Sequence, residues 1–234
     1  IKKEIEMAQQ KLSDEGRKRV VIAMSAGNHA EGVAYHAYRL GIPATIIMPE
    51  GSVQSKVDAT LAYGAKVVQS GITAATRGEA AKKIAAETGA AIIPPFDDVR
   101  IIAGQGTVGL EIMEEWPEVR SVITPLGGGG LLAGTALAVT SIDPSVAVYG
   151  IEPAAGNDGE QSFRKGSIVE IAPPDTIADG ARTTAIGERN FAIIRARVRD
   201  VASVDDDALL RATRFAMYRT KLVIEPTGCL GLAA

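Results

Sequence analysis

Four consecutive glycines, Gly127 to Gly130, are the residues whose type and spacing point most directly to chemistry. They follow an apolar run, residues 121–126, that is typical of a buried strand, and they precede residues 131–138, which are typical of a helix. Glycine lets a backbone approach a ligand closely, and the N–H groups of such a loop and of the following helix point at an anion. The pattern therefore predicts a phosphate site. A tight turn or flexible link is the alternative, against which the chain entropy of four glycines argues.

Residues that are absent from the glycine loop exclude some classes of phosphate ligand. No Lys or Ser/Thr completes the pattern of a nucleoside-triphosphate loop, and the spacing is not that of a dinucleotide loop with its downstream acidic residue. ATP is therefore not predicted, and a dinucleotide-dependent oxidoreductase is a poor alternative.

A second motif, Ser25-Ala-Gly-Asn-His29, follows a predicted strand and opens a predicted helix. Ligands bind at the carboxyl ends of parallel strands, and Ser25, the amides around Gly27 and the Asn28 side chain suit a carboxylate or a ring oxygen. An ordinary helix cap with a satisfied Asn28 is the equal alternative. His29 by itself is more typical of a capping or surface residue than of a catalyst.

Alternating strands and helices must position these motifs. A first α/β unit is predicted over residues 17–96. Its predicted strands are 19–24, 44–48, 66–68 and 91–93, and its predicted helices are 30–40, 53–63 and 74–88.

A second α/β unit is predicted over residues 97–234, joined by residues 1–16, with a sheet of its own and a ligand cleft against the first unit. Its predicted elements are a polar connection at 96–106, helices at 107–116 and from 131, a strand at 146–151, a mostly loop stretch at 153–189 with a short helix near Gln161, and a helix at 205–220 capped by Ser203. Residues 1–12 have a charged helical pattern, and residues 230–234 are typical of the start of a helix.

Composition excludes several classes of protein. The 234 residues are 46% hydrophobic, enough for a substantial core, and carry a net charge of −3 without a block of like charges. Nucleic acid, a membrane surface and a membrane span are therefore not predicted. The single cysteine, Cys229, excludes an intrachain disulfide and fits a reducing, cytoplasmic compartment.

Six motifs in order resemble the serine/threonine dehydratases and serine racemases, which are pyridoxal-phosphate enzymes of the tryptophan synthase β-like fold (fold type II). They are Ser-Ala-Gly-Asn-His-Ala (25–30), Gly-Gln-Gly-Thr (104–107), Gly-Gly-Gly-Gly-Leu (127–131), Tyr-Gly-Ile-Glu-Pro (149–153), Thr-Ile-Ala-Asp-Gly (176–180) and Ile-Glu-Pro-Thr-Gly (224–228). Each motif is moderately specific, whereas all six in order are highly specific. The resemblance spans essentially the whole chain and implies two parallel α/β units with the active site in the cleft between them.

The resemblance implies roles for individual residues. Gly127, Gly128, Gly129, Gly130 and Leu131 would hold the cofactor phosphate, Asn28 would contact its ring hydroxyl, and Gly180 and Glu225 would pack beside the pyridine ring. Ser25, Ala26, Asn28 and His29 would line the substrate site. Arg77 matches an arginine on the substrate side of the racemases, although a solvated helix charge is an equal interpretation.

The resemblance also implies a cation site at Glu152, the Gly156 carbonyl and Asp158. In the racemases and some dehydratases the matching groups bind Mg²⁺ or Ca²⁺, and oxygen donors suit such ions. A solvated acidic loop is the alternative.

One departure from the family pattern concerns the Schiff-base lysine, whose Ser-Phe-Lys-x-Arg-Gly motif is absent from the sequence. Lys56, Lys82 and Lys83 have ordinary charged-face spacing in helices and are not candidates. The residue that contacts the pyridine nitrogen would also fall beyond Ala234. We expect the chain to be a piece of a longer enzyme, truncated at both ends, that does not turn over L-threonine alone. A remnant that binds the phosphate without catalysis is the alternative.

Ala26 distinguishes the activities within the family. Serine racemases carry a hydroxyl here as the acid/base on the second face of the α-carbon, and alanine cannot transfer a proton. The resemblance therefore implies elimination of water and ammonia from L-threonine or L-serine, and also leaves open hydroxyaspartate, whose second carboxylate Arg77 suits. Racemisation, threonine synthase and a cysteine synthase-like transferase are further alternatives. The family implies a homo-oligomer, a dimer or tetramer, and leaves a C-terminal regulatory domain open.

Overall fold

A computed structural model describes residues 19–73 and 76–234. The chain forms two compact units, and the boundary between them falls between Pro95 and Phe96. The predicted helix at residues 1–12, the assignment of residues 1–16 to the second unit, and Ala74 and Ala75 of the predicted helix 74–88 lie outside the described residues.

The first unit is an alternating α/β unit, as predicted. Its elements are β1 (Val21–Met24), α1 (Asn28–Leu40), β2 (Ala44–Ile47), α2 (Gln54–Ala62), β3 (Lys66–Val68), α3 (Arg77–Thr88) and β4 (Ala91–Ile93). The four strands are parallel and lie in the order β3-β2-β1-β4. This order brings the carboxyl end of β1, where the Ser25–His29 loop begins, to the middle of the sheet.

Both faces of this sheet are covered, which explains its continuous apolar strands. On one face, Ala30, Ala34 and Ala37 of α1 pack in the same buried cluster as Ile46 of β2. On the other face, Ala81 of α3 belongs to a second buried cluster of the sheet. Small alanines let the helices lie close to the strands.

The second unit contains a parallel sheet of its own, in the order β5-β6-β7. Its strands and α-helices are α4 (Val99–Glu115), β5 (Ser121–Pro125), α5 (Gly130–Ile142), β6 (Ala147–Pro153), α6 (Asp158–Lys165), α7 (Glu188–Arg197), β7 (Asp200–Val204), α8 (Asp206–Phe215) and α9 (Leu230–Ala233). Short 3₁₀ turns occupy residues 154–156, 179–181 and 226–229, and a π-helical turn occupies 216–220. Helix α9 confirms the helix start expected at residue 230.

The predicted connection at 96–106 is wrong, because helix α4 already begins at Val99. Asp98 caps this helix by accepting a hydrogen bond from the backbone of Arg100. Of the two glycines in this predicted connection, Gly106 is a packing position, since a Cβ there would lie 3.2 Å from the Gly134 carbonyl oxygen. Gly109, one turn further along the helix, packs in the same way, since a Cβ there would lie 2.9 Å from the Thr135 carbonyl oxygen. Close contact with α5 therefore overrides the low helix propensity of glycine.

Two further differences concern the end of the chain. Asp205, rather than Ser203, caps α8 by accepting from the amide of Ala208, while the Ser203 hydroxyl donates to Glu160. The single helix predicted over 205–220 is α8 followed by the π-helical turn. Helix α7 begins two residues before the end of the stretch 153–189 that was predicted as mostly loop, and no element was predicted for residues 190–204, which contain the rest of α7 and strand β7. No helix of the described part of the chain is both long and apolar enough to span a bilayer.

Candidate functional site

The glycine loop lies between the carboxyl end of β5 and the first turn of α5. Leu126 closes the strand by donating from its amide to the Ile151 carbonyl at 2.7 Å, and α5 begins at Gly130. Gly129 has φ = 92°, a left-handed conformation that favours glycine. Within residues 19–73 and 76–234, the amides of Gly127, Gly128 and Gly129 have no acceptor. Gly130 and Leu131 begin α5, so their amides also have no acceptor within the helix. These neighbouring N–H donors form a group suited to an anion.

Close packing explains why the loop needs glycine. A Cβ on Gly127 would lie 3.3 Å from both the Gly180 carbonyl oxygen and the Ala181 Cα, and one on Gly129 would lie 2.9 Å from Ile186. These contacts argue against a flexible link, since a flexible segment would not need such fitted neighbours.

The predicted residue Gly180 lies beside the loop, and a third segment holds it there. The amide of Gly180 donates to the Thr227 hydroxyl at 3.0 Å. Thr227 belongs to the 3₁₀ turn 226–229, which Glu225 precedes and caps with its carbonyl oxygen by accepting from the Gly228 amide. The structure thus brings Gly127 and Gly180 into contact. Glu225 lies two positions before Thr227, whose hydroxyl binds Gly180.

In the first unit, the Ser25–His29 loop turns from β1 into α1. The Ser25 hydroxyl accepts from the Gly27 amide at 3.1 Å. Gly27, not Asn28, occupies the N-cap position, and no side chain caps the helix, so the interpretation of Asn28 as an ordinary cap is wrong. The Lys56 ammonium lies 3.9 Å from a Cβ built on Gly27, a position that its charged-face spacing did not predict. The first-turn amides of α1 and this cation favour an anion at the loop.

His29 is half-buried and its Nε2 lies 3.1 Å from the Ile93 carbonyl oxygen. Because a carbonyl oxygen only accepts, Nε2 carries the proton in this hydrogen bond. Burial lowers the pKa of His29, although the bond to Ile93 opposes the shift. Near pH 7 the lowered pKa favours the neutral imidazole, with its proton on Nε2.

Arg77 is the first residue of α3 and is half-buried. The next residue, Gly78, lies beside Met24, the last residue of β1, since a Cβ built on Gly78 would be 4.0 Å from the Met24 sulfur. The guanidinium has no carboxylate partner among residues 19–73 and 76–234. The substrate-side role of Arg77 and its interpretation as a solvated helix charge therefore both stay predictions.

The predicted cation residues surround the carboxyl end of β6. Glu152 is 1% exposed and accepts from the amides of Gly159 (3.1 Å) and Glu160 (2.6 Å) at the start of α6. Asp158 is equally buried, and neither of its carboxylate oxygens has a hydrogen-bond partner among the described residues. Gly156 is buried in the intervening 3₁₀ turn.

Burial raises the pKa of Glu152 to about 8 and that of Asp158 to about 6. Two buried carboxylates, of which Asp158 has both oxygens unsatisfied among the described residues, fit a hard cation that would stabilise their charged forms. No group of three or more His, Cys, Asp or Glu side chains that could hold a metal ion occurs in the described part of the chain, so carbonyl and water oxygens would have to complete the coordination.

Three residues that contact the glycine loop were not predicted from the sequence, namely Phe96, Ile186 and Asn190. Asn190 is fully buried in α7, a helix that was not predicted. Four adjacent glycines signal that something packs closely against them, but the partners come from distant segments and leave no local pattern.

A family model described as "Pyridoxal-phosphate dependent enzyme" matches residues 4–234. An L-threo-3-hydroxyaspartate ammonia-lyase from Saccharomyces cerevisiae is 50% identical to this chain over 223 residues, covering 95% of this chain and 68% of the relative. A serine racemase from Schizosaccharomyces pombe is 48% identical, covering 95% and 69%.

The fold is similar to that of a T.th. threonine deaminase, whose crystal structure matches with a TM-score of 0.91 at 46% sequence identity. The match covers 98% of this chain and 75% of that structure. The three named similarities span three activities.

Proposed function

The chain belongs to the family of pyridoxal-phosphate-dependent enzymes. We propose that it is part of an ammonia-lyase that converts L-threonine or L-serine to a 2-oxo acid and ammonia. The observation that carries the proposal is the set of amides at Gly127–Leu131 that have no acceptor among the described residues. They are the kind of site that a phosphate ester requires.

The amides of Gly127–Leu131 fit the phosphate of the cofactor, because they have no acceptor among the described residues. Pyridoxal phosphate supplies, when bound, an electron sink for the loss of the substrate α-proton. By the resemblance, Asn28 would contact the ring hydroxyl, and Gly180 and Glu225 would pack beside the pyridine ring.

Residues of the first unit bind the substrate. Ser25, Asn28 and the first-turn amides of α1 hold the substrate carboxylate, and the neutral ring of His29 lines the site without adding a charge. Ala26 carries a methyl group that cannot move a proton to or from the α-carbon, so elimination is favoured over racemisation.

A second candidate substrate is L-threo-3-hydroxyaspartate. Arg77 supports it, since a half-buried guanidinium without an ion pair in the described part of the chain can bind a second carboxylate. The name of the Saccharomyces relative points to the same substrate.

The proposal includes a divalent cation, Mg²⁺ or Ca²⁺, held by Glu152, the Gly156 carbonyl and Asp158. The unpartnered oxygens of Asp158 support it. We also propose a homo-oligomer, a dimer or tetramer, which the family resemblance implies, and a cytoplasmic location, which the single cysteine favours.

The test is a substrate panel on the full-length protein loaded with pyridoxal phosphate. We expect ammonia with 2-oxobutanoate from L-threonine, pyruvate from L-serine or oxaloacetate from L-threo-3-hydroxyaspartate. Arg77→Gln should lower kcat/KM about tenfold or more for hydroxyaspartate only, if the guanidinium binds the second carboxylate. Lys82→Gln, an exposed change on the same helix, is the matched control. No 2-oxo acid from any of the three would contradict the proposed function.

A further inference from the structure

Phe96 lies against the glycine loop. A Cβ atom built on Gly128 would be 2.3 Å from Cδ1 of Phe96 and 2.4 Å from its Cγ. A Cβ on Gly130 would be 3.2 Å from Cβ of Phe96. The phenyl ring therefore occupies the side of the loop on which side chains would project.

The carbonyl group of Gly128 is held by two donors. Its oxygen accepts from the Asn190 side-chain amide at 2.7 Å and from the Gly187 backbone amide at 3.1 Å. Both lone pairs of this oxygen are thereby used. Because a trans peptide is planar, fixing the direction of this carbonyl also fixes the N–H of Gly129 in the opposite direction. That N–H is one of the amides without an acceptor among the described residues.

Asp97 connects the same segment to the helix that carries Asn190. Its Oδ1 accepts from the backbone amides of Arg189 (3.0 Å) and Asn190 (3.4 Å) in the first turn of α7. A Cβ on Gly187 would lie 2.6 Å from Cγ of Asp97. Phe96 thus contacts the loop directly, while Asp97 fixes the helix whose side chain holds the Gly128 carbonyl.

We propose that Phe96, Asp97 and Asn190 are positioning residues that hold the glycine loop in its phosphate-binding form before the ligand arrives. The inference rests on the proposed function, since it assigns the loop to the phosphate of the cofactor. Loss of either support would let the Gly128–Gly129 peptide rotate, so that the Gly129 amide would have to be reoriented at a cost in binding free energy.

The test compares pyridoxine 5′-phosphate with pyridoxine by isothermal titration calorimetry on the full-length apoprotein. These two probes differ by the phosphate and lack the aldehyde that would react with surface lysines. The Kd of pyridoxine divided by the Kd of pyridoxine 5′-phosphate gives the contribution of the phosphate to binding. We expect Asn190→Leu and Phe96→Ala each to lower this ratio about tenfold, with Phe96→Leu retaining more of it than Phe96→Ala.

Phe163→Ala is the matched control, because Phe163 is a partly buried phenylalanine packed on the core of the same unit. It should lower the free energy of unfolding without changing the ratio. A wild-type ratio near one would contradict the proposed function itself. A high wild-type ratio that persists in Phe96→Ala and Asn190→Leu would overturn the positioning role. Because the two variants alter different supports, either one that folds by circular dichroism decides the question.

Discussion

The phenyl ring of Phe96 lies where a side chain on Gly128 would project, since a Cβ built on Gly128 would be 2.3 Å from Cδ1 of the ring. A ring atom and a methyl carbon cannot coexist at this distance, so the requirement for glycine at this position comes from the protein itself as well as from any ligand.

This contact predicts the result of a double-mutant cycle. Gly128→Ala should lower the free energy of unfolding by about 1 to 3 kcal/mol, because the methyl group displaces the ring. In the Phe96→Ala background the same change should cost at least about 1 kcal/mol less. Urea unfolding of the four proteins measures the coupling, and equal costs in both backgrounds would mean that the ring does not impose the glycine.

Glycines in helices α4 and α5 differ in the space available for a side chain. A Cβ on Gly134 would lie 2.4 Å from the Ile102 carbonyl oxygen, whereas one on Gly104 would meet nothing within 4 Å. Gly134→Ala should therefore destabilise the protein by about 2 kcal/mol or more. Gly104→Ala should stabilise it by about 0.5 to 1 kcal/mol through helix propensity. Thermal unfolding distinguishes the two, and a shift of the same sign for both would refute the packing argument.

The same glycines show where prediction from sequence succeeded and where it failed. The strands of the first unit and the β5–glycine–α5 segment were predictable because apolar runs and glycine punctuation are local signals. Helix α4 was not predicted over its first two turns, because the need for glycine at Gly106 arises from contact with Gly134, 28 positions along the chain.

The candidate site divides in the same way. The glycines proposed to bind phosphate and the Ser25–His29 loop could be found by motif, since they follow strands directly. Asn190 could not, because its hydrogen bond to Gly128 joins residues 62 positions apart and an isolated buried Asn has no sequence signature.

His29 predicts a pH dependence of stability. Burial lowers its pKa in the folded protein, so below about pH 6.5 the unfolded chain binds a proton that the folded protein does not. The free energy of unfolding should therefore decrease as pH falls from 7 towards 5, and His29→Gln should reduce this decrease. His36→Gln, at an exposed position on the same helix, is the control. An unchanged pH slope in His29→Gln would contradict the lowered pKa of this half-buried ring.

Asp158 predicts how the protein responds to divalent cations. Because burial raises its pKa to about 6, the folded protein holds a proton more tightly than the unfolded chain, and stability without cation should fall as pH rises from about 4 through 6. Asp158→Asn should therefore raise the free energy of unfolding at pH 8 by about 1 to 3 kcal/mol in the presence of chelator.

Added Ca²⁺ or Mg²⁺ should raise the Tm of the wild type and not that of Asp158→Asn, because binding to the folded state alone stabilises it. Asp175→Asn, at an exposed position, should leave the cation response intact. A cation response that survives in Asp158→Asn would remove Asp158 from the site.

The methyl group at Ala26 can be replaced by a hydroxyl to test the choice between racemisation and elimination under the proposed function. Ala26→Ser introduces a hydroxyl that can exchange a proton on the second face of the α-carbon, so the ratio of racemisation to elimination should rise about tenfold or more. Chiral chromatography of serine beside an ammonia assay, on the full-length protein loaded with pyridoxal phosphate, gives the ratio. If the ratio stays constant, position 26 has no part in choosing between the two reactions.

The most direct measurement is a crystal structure of the full-length protein grown with pyridoxal phosphate. The account predicts that the phosphate oxygens lie about 3 Å from the amide nitrogens of Gly127 to Leu131, with the Gly128 carbonyl still bonded to Asn190. A phosphate bound elsewhere, with these amides facing only water, would contradict it.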